Sequence, residues 1–177
     1  MHRILDLALI AASLSGCALL RGAEPETRGP FADPRRLCEQ VAGAAGLRIL
    51  QPWESRAPGR FDCVSASPAL GEAPGPMKSY VALHANGPDP RSADRIALQA
   101  NVLASADEEL ALGKLEDLIG RTFEHLGLEL PGELAEAVRD RLAWRTRGSD
   151  LAIDWQGTEI GGGGVSWTLY LQGSDSS

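Results

Sequence analysis

The sequence lacks most of what would announce an activity. It has no Gly-x-Ser-x-Gly elbow, so no nucleophile of the α/β-hydrolase kind is offered. Neither His-Glu-x-x-His nor Cys-x-x-Cys occurs, and no His or Cys stands at ligand spacing beside Cys38 or Cys63, which leaves a zinc site without support. Basic charge is short too: 17 Lys and Arg against 24 Asp and Glu give a net charge of −7. An acidic domain of this kind argues against a basic grip on nucleic acid or anionic lipid. There is no internal repeat, and the N-terminal apolar run falls short of the about 20 residues a spanning helix needs. From these absences we expect no cofactor, no metal and no catalytic constellation.

The first residues are more informative. Met1-His2-Arg3 is a minimal positive start, and Ile4 to Leu14 is an apolar segment of secretory-signal length, interrupted by Asp6. It ends in Leu14-Ser15-Gly16-Cys17, which resembles the lipobox of bacterial lipoproteins at every position. The resemblance covers only the first 17 residues. It implies cleavage before Cys17, a diacylglyceryl thioether on the Cys17 sulfur and an acyl chain such as palmitate on the new N-terminus. One chain anchors only marginally, because each buried methylene contributes about 0.8 kcal/mol, so several chains on Cys17 would be needed to hold the protein on a bilayer. Ala18, where enterobacterial lipoproteins retained in the inner membrane carry Asp, suggests the outer membrane, facing the periplasm. The expected organisation is a signal peptide over 1–16, a disordered tether over 17–33, a single domain over 34–173 and a disordered tail over 174–177.

With Cys17 acylated, Cys38 and Cys63 remain. An even remainder in an oxidising compartment reads as one disulfide; two buried free thiols are the alternative.

The domain reads as α+β. Asp33-Pro34 opens a helix that Gly46 stops. Residues 51–59 read as loop because of Pro52, Pro58 and Gly59. Strands are expected at 61–65, 80–85, 95–103, 151–156 and 165–172, the last three with clear two-residue alternation. Ser105 to Glu108 forms a capping box before a helix with a Leu112, Leu115, Ile119, Phe123 and Leu126 stripe. Pro131 opens another helix, striped by Leu134, Val138 and Leu142. Gly157 to Gly164 reads as a long hairpin loop. The expected fold is about five antiparallel strands in one sheet with two to three helices on one face, in the order α-βββ-αα-ββ. That element order resembles type III secretion chaperones, in order alone.

Each candidate site has a plainer explanation beside it. His84 falls on the polar face of a strand with no nucleophile or carboxylate at a diagnostic spacing, so a solvated histidine competes with a general base. His125 lies in the last turn of its helix, where a positive charge is favoured. Gly161 to Gly164 lead into a strand, not into the helix a phosphate loop requires. Arg139, Arg141, Arg145 and Arg147 form the one basic cluster, either an anion contact or charges favoured at a helix C-terminus. Trp155 and Trp167 lie in phase with core positions, whereas Trp53, in a proline-rich stretch, is the better candidate for exposure. The reading is a membrane-anchored envelope lipoprotein with a non-enzymatic binding or scaffolding role and an envelope protein as partner. The alternatives are a secretion-associated chaperone-like accessory and a periplasmic hydrolase using His84.

Overall fold

The computed structural model describes residues 31–71 and 78–173; the lipobox with Cys17 and the tail over 174–177 lie outside them. Seven strands form one antiparallel sheet: β1 (Arg48–Ala57), β2 (Arg60–Ala66), β3 (Tyr80–Gly87), β4 (Arg95–Val102), β5 (Trp144–Arg147), β6 (Leu151–Ile160) and β7 (Gly164–Gly173). Pro34–Arg36, Leu37–Val41 and Ala42–Ala44 run on as one helical segment, α1, π-wound in its middle part. Helices α2 (Glu108–Leu126) and α3 (Gly132–Asp140) follow β4.

This corrects the expected five strands and their order: the chain runs α-ββββ-αα-βββ. The two extra strands are the sheet's edges, in the spatial order β1-β2-β3-β4-β7-β6-β5. Pro52 does not break β1, because an edge strand can spare the N–H that proline lacks. Repeated register shifts against β2 absorb the irregularity, and they erase the alternation by which a strand is recognised. At the other edge α3 stops at Asp140, with Arg141 in the left-handed region (φ 57°), earlier than its apolar stripe suggested. Leu142 is therefore 62 % exposed, not part of that stripe. The freed residues Trp144–Arg147 pair with β6. The added strands also change the order on which the likeness to secretion chaperones rested.

Other details follow from packing. Phe31 is already buried at 2 %, and its carbonyl accepts from Ala93 N–H at 3.1 Å, so the ordered chain extends N-terminal to Pro34. Trp53, the better candidate for exposure among the tryptophans, is 3 % exposed, and its Nε1–H donates to the Pro90 carbonyl at 3.0 Å. Ser105–Asp107 form a 3-10 turn, and no side-chain cap bond opens α2. Asp107 turns inward instead and accepts from Ser79 Oγ at 2.9 Å. The β6–β7 hairpin is longer and tighter than the glycines suggested. Pairing continues to Ile160–Gly164, and Gly162 and Gly163 supply the positive φ of 86° and 82° that the turn needs.

The core lies between the helices and one face of the sheet. Residues opposite each other on paired strands share a face, and the inward rows are apolar. One row runs Ser65, Leu83, Leu98, Leu169, Trp155, Trp144. Against these rows α2 lays Leu112, Leu115, Leu118, Ile119 and Phe123, a stripe at helical spacing. Trp155 and Trp167 stack at 5.3 Å between centroids. Gly157 makes that possible, since a Cβ there would meet the Trp167 ring at 2.7 Å. A disulfide joins Cys38 of α1 to Cys63 of β2, both fully buried.

Candidate functional site

The same register that makes one face apolar makes the other polar. Its rows read Val64, His84, Ala97, Tyr170, Asp154, Arg145 and Asp62, Asn86, Arg95, Gln172, Ala152, Arg147. The helices and the apolar core occupy the opposite side. Two adjoining hollows open on this bare face. One, of about 260 Å³, is lined by His84, Asn86, Gln99 and Thr168 together with Arg95 and Tyr170. The other, of about 280 Å³, shares Arg95 and Tyr170 and adds Arg145, Arg147, Gln156 and Gln172.

Arg95 is at the centre of both. Its Cζ lies 4.3 Å from the centroid of the Tyr170 ring, a cation–π contact. Beside it runs a polar ladder. Gln99 Nε2 donates to Ser166 Oγ at 2.7 Å and to Asn101 Oδ1 at 3.2 Å, and Ser166 Oγ lies 3.5 Å from Thr168 Oγ1. The carboxylates of this face are engaged: Asp154 pairs with Arg145, and Asp62 accepts from Arg56 and Gln51.

The basic cluster read from the sequence is divided by the fold. Arg145 and Arg147 stand on β5 at the border of the bare face. Arg141 pairs with Glu108 at 2.9 Å on the helical side. Arg139 borders a separate hollow of about 150 Å³ between α2 and α3, walled by Ile119, Leu130, Leu134 and Val138. The role of Arg95 and Tyr170 was missed. Both read as outward residues of their strands, but only the pairing of β4 with β7 brings them together.

His84 stands on the bare face without a hydrogen bond to a carboxylate or hydroxyl among the described residues. Loss of water in the concavity lowers its pKa from the ordinary 6.5, and the Asp62 charge opposes this. His125 is also lowered, by burial first and then by Arg36, with Asp33 opposing. Both therefore bind protons less readily when folded than when unfolded. Their contribution to stability is present above about pH 6.5 and is lost as pH falls through the lowered values. NMR titration should place both midpoints below the ordinary histidine value, and either one at or above it would contradict this.

No group of three His, Cys, Asp or Glu suited to a metal occurs among the described residues, and none of their helices is long and apolar enough to cross a membrane. The fold defines an α+β domain with one antiparallel sheet, helices on one side and a polar surface on the other. The chain belongs to a family of unknown function, DUF6030, whose pattern matches residues 18–154. No curated protein and no solved structure matches it.

Proposed function

We propose that this is a bacterial envelope lipoprotein, moored through acylated Cys17 to the outer membrane and facing the periplasm. In this reading its domain binds or scaffolds another envelope component through the bare face of the sheet, without catalysis. The observation that carries the binding role is that face: a polar, concave surface with two hollows meeting at Arg95 and Tyr170. A sheet face left uncovered by its own helices, with convergent polar groups, is the default place to look for a ligand. The location is supported by the lipobox and by the Cys38–Cys63 disulfide, since disulfides persist in oxidising compartments.

A photo-crosslinking residue placed at Gln172, on the bare face, should capture a discrete species in intact cells. The same residue at Glu124, on the exposed side of α2, should not. Equal capture from both positions, or none from Gln172, would contradict the binding role.

A further inference from the structure

Resting on the binding role just proposed, we infer that the ligand of the bare face is an acidic glycan: a linear, hydroxyl-rich chain carrying carboxylates at intervals. The first ground is charge. Arg56, Arg121, Arg141 and Arg145 all have carboxylate partners. Arg95 and Arg147 have none among the described residues, in a chain of net charge −7. Both stand on one transverse row, separated by Gln172 and Ala152. Three strand spacings put them about 14 Å apart, which calls for an oligomer and not a single small anion.

The second ground is the neutral chemistry around them. Gln172 and Gln156 offer amides suited to sugar hydroxyls. Arg95, placed over the Tyr170 ring, carries a planar guanidinium able to make a two-pronged bond to a carboxylate.

The third ground separates a glycan from an acidic peptide. Peptides dock by adding a strand to a free edge or by seating apolar anchors in a groove. The free edges are β1 and β5, so a strand added beside β5 would lie outside the hollow over β3, β4 and β7 and would not cross Arg95. Polar and charged side chains, Asp154 among them, make up most of the lining of the face's hollows, and the apolar part is small: Ala97, Ala152, Ile153 and the Tyr170 ring that Arg95 already covers.

The test is calorimetric titration of the full chain in detergent with oligogalacturonate. Controls are galacturonic acid monomer, a neutral glucan of equal length and poly-glutamate. Oligogalacturonate should bind more tightly than any of the three, and more weakly as salt rises. Arg95→Gln and Arg147→Gln should each weaken it by about tenfold, the loss expected for one charge-assisted contact. Circular dichroism of each variant checks that the sheet is intact, and Arg95→Lys, which keeps the charge but loses the flat fork, should fall between. Equal binding of neutral glucan or of poly-glutamate, no binding of oligogalacturonate, or unchanged affinity in folded Arg95→Gln would overturn the inference. If crosslinking from Gln172 then captures a protein, the binding role stands and only the ligand class falls; if it captures nothing, both fall.

Discussion

Replacing Cys38 and Cys63 together by Ala should lower the unfolding free energy by about 3.5 kcal/mol, the chain-entropy value for a loop of this length. The bridge spans 25 residues in sequence, with Cα atoms 6.5 Å apart. That loop contains all of β1, the least regular strand, with Pro52 and its register shifts. The bridge is therefore a covalent tie between α1 and the sheet at the end where the pairing register is most irregular. For a domain of this size each kcal/mol moves the midpoint by about 2–4 °C, so the melting temperature should drop by about 10 °C. Because both sulfurs are buried, reductant should act only once denaturant has opened the fold. Amide exchange should quicken first in β1. A urea midpoint that is the same in the double variant and the wild type would contradict this account.

The interior of the fold was legible because its rules are local. Ile96, Leu98, Ala100 and Val102 alternate with Arg95, Ala97, Gln99 and Asn101, and they do face the core. The α2 stripe is helical in spacing and lies buried. The edges were not legible. β1 has lost its alternation to bulges and carries a proline, and the four residues of β5 are too few to show a period. Counting five strands instead of seven followed from those two segments. Ser105 to Glu108 read as a capping box, and only the fold shows Asp107 turned inward to Ser79.

The candidate surface was hidden for a different reason. Arg95 and Tyr170 were each visible as outward residues, but nothing local says that β7 lies beside β4. The chain first runs out through α2 and α3 to the far edge, then returns through β6. The four arginines that looked like a cluster sit close in sequence, and the turn at Arg141 sends them to opposite sides of the domain.

The second large effect concerns Cys17, outside the described residues, on which location and role both rest. Multiple acyl chains on one cysteine bind a bilayer stably, whereas the domain's acidic surface gives it no attraction of its own to anionic lipid. Cys17→Ser should therefore move the protein from the membrane fraction almost entirely, with the fold unchanged. The direct measurement is metabolic labelling of cells with an alkyne fatty acid, followed by click detection of the purified protein. The account predicts a labelled wild type that begins at Cys17 and an unlabelled Cys17→Ser variant. An unlabelled, uncleaved wild type recovered with cytosolic proteins would contradict it.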